Sequence, residues 1–247
     1  MPKEKNNGKY QGLWKKILRW TLRLAVGFIV GSVLLVGIYA VLPVPLTPLM
    51  VIRVIEGAFE GRAVGISKTW VPYNEVSPYV YKALMSGEDG KFLRHNGFDW
   101  NAIDRARARN ERAKGKKLYG ASTITMQTSK NVFLWHGRNY IRKGLEAYFT
   151  VLIEAVWGKR RILEVYGNVI EWGDGIYGVE AASQFYFKKS ARYVTASEAA
   201  LLAAIVPNPR RWSASAPTPY IQKRKAFILS RMGGMPLPSS SSKSKGK

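Results

Sequence analysis

The sequence predicts a mainly α-helical protein whose folded domain is preceded by a single transmembrane helix. Three observations lead to this prediction: an uncharged apolar run at residues 24–42, apolar residues that recur at helical spacing through the body, and few segments that alternate as strands do. The 247 residues are enough for one or two domains. No repeat with a period of about 20 to 50 residues is visible.

The apolar run is predicted to anchor the chain in a membrane. As a helix, its 19 residues would span roughly 28 Å, close to the ~30 Å hydrocarbon core of a bilayer. Lys15, Lys16, Arg19 and Arg23 precede it, so the positive-inside rule places the N-terminus in the cytoplasm and the rest outside. A cleaved signal peptide is one alternative, but the run is longer than a usual signal-peptide core and a small-x-small cleavage site is missing. A buried core helix is the other alternative.

The prolines after this run end the helix. Pro43, Pro45 and Pro48 are interpreted as a stiff spacer. The chain is therefore divided into a basic cytoplasmic segment, an anchor, a linker with a membrane-proximal segment, a folded domain and a disordered basic tail, with bounds 1–23, 24–42, 43–71, 72–235 and 236–247.

Capping signals and helical periods mark the elements of the body. Ser77 before Pro78 is a helix start, and this helix places Glu88 near its C-terminal end. Apolar residues at helical spacing predict further helices over residues 137–159 and from Lys159 onward.

Two later helices are predicted from their N-terminal caps. Thr195 and Glu198 form a capping box, and Thr218 precedes an N-terminal proline of the last helix. Residues 51–55 and 64–70 are the candidates for short strands.

The net charge of +23 favours polyanionic partners, namely nucleic acid, anionic lipid or phosphorylated substrates. An exported domain rarely meets nucleic acid, so no nucleic-acid partner is expected. The basic segment 106–117 is predicted to be a solvated loop, with contact to anionic lipid head groups as the functional alternative. The sequence has no cysteine and two histidines, which excludes disulfides and thiol nucleophiles and disfavours a zinc site.

Glu88 and Asp89 open a crowded titratable cluster that continues through Phe92 and His95 to residues 97–99. A carboxylate beside apolar groups has its pKa shifted toward neutral pH, as general acid–base chemistry needs. A solvated helix end explains this string equally well when it is taken alone.

Three more clusters follow. Residues 120–131 are dense in short hydroxyls and amides and include a lysine, a composition that suits sugar hydroxyls and phosphate oxygens. A Ser/Thr-rich loop with an N-cap is the simpler explanation of that cluster alone. Arg142 and Lys143 with Glu146 form either a surface ion pair or, in a cleft, a diphosphate site. Residues 159–168 read by themselves as a packed amphipathic helix.

In this order and spacing the four clusters resemble the motifs of the peptidoglycan glycosyltransferases of family 51, over roughly residues 72–209. Many members have Gln at the position of Met126 and Leu at that of Gly167, and neither position has a catalytic role. The matching residues, motif by motif, are Glu88, Asp89, Phe92, His95 and Gly97; Gly120, Ser122, Thr123, Ile124, Thr125, Gln127, Lys130 and Asn131; Arg142, Lys143 and Glu146; Lys159, Ile162, Leu163, Glu164, Tyr166 and Asn168.

The resemblance implies a lysozyme-like, two-lobed glycosyltransferase domain. Its implied reaction is the polymerisation of lipid II into β-1,4 glycan strands for the cell wall, with inversion and release of polyprenyl diphosphate. Glu88 is the implied general base for the acceptor 4-hydroxyl, and Glu146 orients neighbouring cations or helps to hold a divalent ion. Lys130, Arg142 and Lys143 are expected to stabilise the departing diphosphate. The other implied substrate-binding residues are Asp89, Phe92, His95, Ser122, Thr123, Gln127, Asn131, Glu164, Tyr166 and Asn168.

The resemblance also sets expectations for ligands and location. No covalent cofactor is expected, and a divalent cation, Mg²⁺ or Mn²⁺, is a candidate at the diphosphate. The expected partners are lipid II, the growing glycan strand, membrane lipids and cell-wall synthesis proteins. The expected location is the bacterial inner membrane, with one span and a periplasmic catalytic domain.

Two other functions stay open on the sequence. A lysozyme-like hydrolase has a similar helical fold and an acidic pair, but it needs a water site in place of Lys130, Arg142 and Lys143. It would release fragments from finished wall rather than polymer from lipid II. A non-catalytic, membrane-tethered basic binding module would tolerate the substitution Glu88→Gln.

Overall fold

The computed structural model of this chain describes residues 7–113, 119–137 and 139–239. Contacts within it separate two units, Met1–Leu42 and Pro43–Lys247. The start of the predicted cytoplasmic segment and residues 240–247 of the predicted tail lie outside the described residues, as do residues 114–118 of the predicted basic loop.

The first unit is one long helix, α1, which covers Asn7–Tyr39 and has 33 residues. Within it, Gly12–Tyr39 is the one stretch among the described residues that is long and apolar enough to cross a membrane. Only 11% of its most apolar window is buried, so it is not a core helix. The helix ends a little before the predicted boundary at Leu42, because the ring of Pro43 disfavours helical conformation just ahead of it.

The second unit is mainly helical and contains a small sheet. Its three-stranded sheet has the order β1-β3-β2, with β1 parallel and β2 antiparallel to β3. The strands are β1 Ser67–Lys68, β2 Glu171–Gly173 and β3 Ile176–Tyr177. The helices are α2 Pro48–Phe59, α3 Pro78–Glu88, α4 Trp100–Ala113, α5 Ile124–Phe133, α6 Tyr140–Val156, α7 Lys159–Val169, α8 Val179–Phe187, α9 Ala196–Ile205 and α10 Pro219–Met232, and the short 3-10 helices are Tyr73–Glu75, Phe92–Arg94 and Ala191–Tyr193.

Six of these helices pack in two groups. Helices α3, α9 and α10 contact one another, and α5 contacts both α6 and α7. In the first group α9 is central: its side chains from Ala199 to Ile205 are buried, as expected for a helix that is apolar on every face. A hydrogen bond between Glu88 of α3 and Gln127 of α5 joins the groups. The candidate site lies at this junction.

Most predicted helix starts are confirmed by their caps. Thr195 and Glu198 form the capping box of α9, and the Thr218 side chain accepts from the backbone N–H of Ile221 in α10. Helix α3 begins at Pro78 as predicted, but its N-cap differs: the Ser77 hydroxyl donates to the backbone of Val194 over 2.7 Å instead of capping the helix.

Two predictions on local structure were wrong. Residues 51–55 are not a strand but part of α2, which Thr47 caps by accepting from the backbone N–H of Met50 and in which Pro48 is the first residue. The β-branched residues of this segment therefore serve as one turn of a helix, whose proline start outweighs their strand preference. The basic segment 106–117 is helical as far as Ala113. Of residues 64–70, only Ser67–Lys68 form a strand.

Candidate active site

Glu88 is the last residue of α3, and its side chain is only 12% exposed. The side-chain N–H of Gln127 donates to Oε2 of Glu88 over 3.0 Å, and Nη2 of Arg224 donates to Oε1 over 3.0 Å. The hydroxyl of Tyr166 donates to the side-chain oxygen of Gln127 over 2.9 Å. Since that oxygen is taken, the Gln127 amide presents its NH₂ group to Glu88.

The surroundings of Glu88 change its acidity. Burial raises the pKa of the Glu88 carboxyl above its ordinary value, while the donors Gln127 and Arg224 and the positive charge of Lys130 lower it in part. Burial has this effect because it removes water from the ionised form. A carboxylate with a raised pKa is a stronger base than an exposed one, as proton abstraction from a hydroxyl requires.

Asp89 has a different environment from its neighbour. Its Oδ2 accepts from the backbone N–H of Ile124, the first residue of α5, over 3.0 Å. The same carboxylate contacts Nε2 of His95 at 3.0 Å. A carboxylate at a helix N-terminus is favoured by the helix dipole. Asp89 and His95 therefore position α5 beside Glu88, and their side chains are taken up within the protein rather than free for substrate.

Gly97 belongs to the first motif and packs against α6, the helix that follows the second motif. Its backbone has φ = 86°, a region that glycine adopts without strain, and an added Cβ would lie 2.7 Å from the side chain of Thr150. The carbonyl of Gly97 accepts from the hydroxyl of Thr123 over 2.6 Å. Thr123 also caps α5 by accepting from the backbone N–H of Met126. Thr123 therefore locks the start of α5 to the first motif.

Lys159, the first residue of α7, contacts the first motif. Its Nζ donates to the carbonyl of His95 over 2.7 Å and to Oε1 of Glu154 over 2.6 Å. The same ammonium lies 4.6 Å from the ring centroid of Phe92. Phe92 is 1% exposed, and the binding role expected for it stays a prediction. It is a packing residue beneath the site.

The third motif forms an ion-pair cluster on α6 in which Arg142 and Glu146 are buried and Lys143 is exposed. Nη1 of Arg142 donates to Oε2 of Glu146 over 2.6 Å, and Nζ of Lys143 donates to its Oε1. Glu146 is 2% exposed, and each of its oxygens has a cationic partner. Charge-assisted bonds of this kind fix the direction of both cations. This geometry favours the cation-orienting role among the two roles expected for Glu146.

Lys130 on α5 links this cluster to Glu88. Burial lowers the pKa of the Lys130 ammonium, as do the nearby cations Arg142 and Lys143, whereas Glu146 and Glu88 raise it. Lys130 is therefore within electrostatic reach of both the buried carboxylate and the third-motif cluster. The expected base Glu88 and the third-motif cluster are therefore each electrostatically coupled to Lys130.

The side chains of the fourth motif stabilise the fold around the site through hydrogen bonds and an ion pair inside the protein. Asn168 is fully buried; its side-chain oxygen accepts from the backbone N–H of Val71 over 2.9 Å, and its NH₂ donates to the carbonyls of Val71 and Glu164, each over 2.8 Å. The carboxylate of Glu164 pairs with Arg161. Both Asn168 and the fully buried Tyr166 form side-chain hydrogen bonds inside the protein, and the binding roles expected for them stay predictions.

Two cavities lie at the junction of the helix groups. Cavity A, of about 600 Å³, and cavity B, of about 400 Å³, are both rich in basic side chains. The polar side chains at cavity A are Arg53, Arg62, Gln127, Lys130, Asn131, His136, Glu171, Asp174, Asn208, Arg210 and Arg211. Those at cavity B are Glu88, Asp89, Lys91, Asp99, Arg105, Arg109, Tyr119, Ser122, Thr123 and Arg231. Glu88, which lines cavity B, accepts a hydrogen bond from Gln127, which lines cavity A.

Sequence reasoning missed two residues of this site. Arg224 lies among three consecutive basic residues of α10, and nothing in that string distinguishes it from Lys223 and Lys225. Arg53 of α2 lines cavity A, but the segment that carries it was predicted to be a strand. Pattern and spacing find residues within one motif, whereas these two reach the site from distant elements.

Comparison with known proteins agrees with the geometry. The family model described as Transglycosylase matches residues 58–233. The chain belongs to this transglycosylase family. The lysozyme-like, mainly helical fold that the resemblance implied is thereby confirmed.

Curated relatives match most of the chain. Proteins named biosynthetic peptidoglycan transglycosylase from Bdellovibrio bacteriovorus, Caulobacter vibrioides and Pseudomonas fluorescens are 52%, 50% and 49% identical to it. These alignments cover 89%, 87% and 86% of this chain and 87%, 90% and 89% of the respective relatives. The prediction of family and of a glycosyltransferase enzyme is confirmed.

Proposed function

We propose that the chain polymerises lipid II into β-1,4 glycan strands, with inversion at the anomeric carbon and release of polyprenyl diphosphate. The family match and the names of the relatives support the reaction class. The observation that carries the proposal is the bond from Gln127 to Glu88. It places a buried carboxylate next to the helix that bears Lys130.

In the proposed reaction Glu88 accepts the proton of the acceptor 4-hydroxyl. The hydroxyl oxygen forms a bond to the anomeric carbon of the donor, and the bond from that carbon to the diphosphate oxygen breaks. The electron pair leaves with the diphosphate, and a single displacement inverts the anomeric centre. A positioned general base typically contributes ~10² to 10⁴ in rate.

The two cavities have complementary parts in this reaction. Cavity B contains Glu88, so it suits the acceptor whose hydroxyl is deprotonated. Cavity A contains Lys130, whose ammonium is electrostatically coupled to Arg142, Lys143 and Glu146, so this cavity suits the donor diphosphate. Positive groups already directed at the place where negative charge develops stabilise the transition state without reorganisation.

No protein ligands are assigned to a divalent cation in this mechanism. The described residues contain no group of three or more His, Cys, Asp or Glu that would hold a metal, and each oxygen of Glu146 is paired with a cation. Mg²⁺ or Mn²⁺ on the diphosphate itself stays a proposal. Titration of the polymerisation rate with a chelator, followed by return of each metal, tests it.

The proposed location follows from the substrate. Lipid II stays in the bilayer, and an enzyme tethered by α1 meets it at a higher effective concentration than a free one. The basic residues ahead of the apolar stretch support a cytoplasmic N-terminus and a catalytic domain on the outer side of the inner membrane. Membrane lipids and cell-wall synthesis proteins are the proposed further partners.

A polymerisation assay tests the function. Full-length protein in detergent is given lipid II, and glycan product is measured for the wild type, for Glu88→Gln and for Glu75→Gln, whose side chain is exposed and outside both cavities. We expect polymer from the wild type and from Glu75→Gln, and a rate about 10² to 10⁴ lower for Glu88→Gln. Release of fragments from finished cell wall in a parallel reaction, without polymer from lipid II, would indicate a hydrolase. A fully active Glu88→Gln would remove the proposed base.

A further inference from the structure

The proline-rich segment that follows the anchor is held by the folded domain. Val44 is fully buried and Thr47 is 2% exposed. Thr47 accepts from the backbone N–H of Met50 and so caps α2, and Leu49 and Met50 form one buried cluster with Tyr177 of β3. The start of α2 is therefore fixed on the sheet, and the question is what fixes the residues before it.

Lys68 of β1 holds these residues by their backbone. Its Nζ donates to the carbonyl of Val44, and to the carbonyl of Pro45 over 3.1 Å. The same ammonium lies 5.5 Å from the ring centroid of Trp70. Within the part of the chain that the structure describes, no carboxylate pairs with Lys68, so the two carbonyls are its hydrogen-bond partners. Hydrogen bonds from a charged donor are stronger than neutral ones. We call this contact the Lys68 latch.

The latch leaves a very short joint between the anchor and the domain. The backbone N–H of Leu42 still bonds to the carbonyl of Ile38 in α1, while the carbonyl of Val44 is bonded to Lys68. Pro43 lies between them, and its ring fixes φ. Without the latch, residues 43–46 would be unheld as far as the Thr47 cap, and four extended residues reach roughly 14 Å.

The length of this joint matters because the proposed substrate stays in the bilayer. A domain on a longer joint spends less of its time with its site at the bilayer surface, and effective concentration falls roughly as the −3/2 power of linker length. Lys68 lines neither cavity A nor cavity B. It therefore acts on the reaction through the linker and not by touching substrate.

We propose that Lys68 is a positioning residue: by bonding the carbonyls of Val44 and Pro45 it keeps the joint short and holds the active site within reach of the lipid-linked substrate at the bilayer surface. This inference rests on the proposed function and adds to it a residue outside both cavities. Its consequence is specific. Loss of the latch slows the reaction with a substrate embedded in a bilayer and spares the reaction with a soluble one.

The test uses the full chain with two substrates. One is lipid II in proteoliposomes, and the other is a lipid II analogue with a short, water-soluble chain, given to the protein in detergent. Lys68→Met keeps the side-chain length and removes the donor, and Lys68→Arg keeps donors. The matched control is Lys188→Met, since Lys188 is an exposed lysine that also donates to a backbone carbonyl, that of Phe185 in its own helix, over 3.1 Å.

We expect Lys68→Met to lower kcat/KM in proteoliposomes by about 3- to 10-fold, because the joint grows from one residue to four. With the soluble analogue its kcat/KM should stay within about twofold of the wild type. Lys68→Arg should recover part of the loss, and Lys188→Met should match the wild type with both substrates. An equal loss with both substrates would mean that Lys68 only stabilises the fold, which would overturn the proposal.

A second variant tests the joint without changing Lys68. Insertion of Gly-Ser-Gly-Ser between Pro43 and Val44 lengthens the joint by four residues while the latch stays in place. It should reproduce the loss in proteoliposomes, and it decides the matter if Lys68→Met does not fold. Wild-type turnover of the insertion variant in proteoliposomes would overturn the proposal.

A spin label separates this inference from the proposed function. The chain has no cysteine, so Leu46→Cys, at a side chain that is 47% exposed, takes a single label. In proteoliposomes the label should be more mobile when Lys68→Met is added than when Lys188→Met is added. Equal mobility would overturn the latch at any level of activity. Absence of polymer from the wild type would overturn the proposed function instead, and the mobility of the label would still decide on the latch.

Discussion

Gln127 forms hydrogen bonds to both Glu88 and Tyr166. Its NH₂ donates to the carboxylate over 3.0 Å, and its oxygen accepts from the phenol hydroxyl over 2.9 Å. Tyr166 has no exposed surface, yet it decides which end of the Gln127 amide faces the carboxylate. A buried residue of α7 thus controls the hydrogen bonding of the proposed base on α3.

Tyr166→Phe should lower kcat about 3- to 10-fold, because the loss of one hydrogen bond leaves Gln127 free to turn its oxygen toward Glu88. The melting temperature should change little, since the ring stays in place. Tyr193→Phe is the control, as Tyr193 is 69% exposed. Steady-state polymerisation kinetics measure kcat for both variants. Equal kcat values for Tyr166→Phe and Tyr193→Phe would contradict the prediction.

Arg224→Gln should move the acidic limb of the pH profile of kcat/KM to higher pH. Arg224 lowers the pKa of Glu88 against the effect of burial, so its loss raises that pKa and the base form is present only at higher pH. At neutral pH the rate should fall about 10-fold. Arg224→Lys keeps the charge and should shift the limb less.

The matched control for that prediction is Lys223→Gln, a neutralised cation on the same helix whose side chain is exposed. Its profile should overlay that of the wild type. A limb that moves to lower pH in Arg224→Gln, or that moves equally in both variants, would show that Arg224 does not act through Glu88.

Glu146→Gln should lower kcat about 10- to 100-fold with a smaller effect on KM. The amide cannot hold Arg142 and Lys143 by two charge-assisted bonds, so the cations lose their direction toward the developing charge. Glu111→Gln breaks the exposed ion pair with Arg107 and should be silent. Equal kinetics for the two variants would mean that the buried pairing has no catalytic part.

Asn168→Ala should destabilise the domain by about 2–4 kcal/mol, because three hydrogen bonds are lost inside the protein. For a domain of this size that corresponds to a melting temperature about 5–10 °C lower. Thermal unfolding of the full chain in detergent measures it, with the exposed Asn101→Ala as control. A shift below about 2 °C would contradict the supporting role.

The features predicted correctly from the sequence are those that depend on residues close together along the chain. The capping box of Thr195 and the apolar anchor were found because caps and helix periods are local. The division of labour between Glu88 and Asp89 was not found, since it depends on Ile124 and His95. Local pattern also misassigned residues 51–55, where β-branched residues favour a strand and only the Thr47 cap and proline start show a helix.

Gln127 and Lys130 lie on consecutive turns of α5, so a small molecule bound against that helix would disturb the proposed proton removal and the proposed leaving-group departure together. Escape from such an inhibitor is correspondingly hard. A substitution that loosens the drug by shifting α5 would also weaken cell-wall growth. The narrow choice of tolerated changes makes this helix a favourable target for compounds in which slow emergence of resistance is wanted.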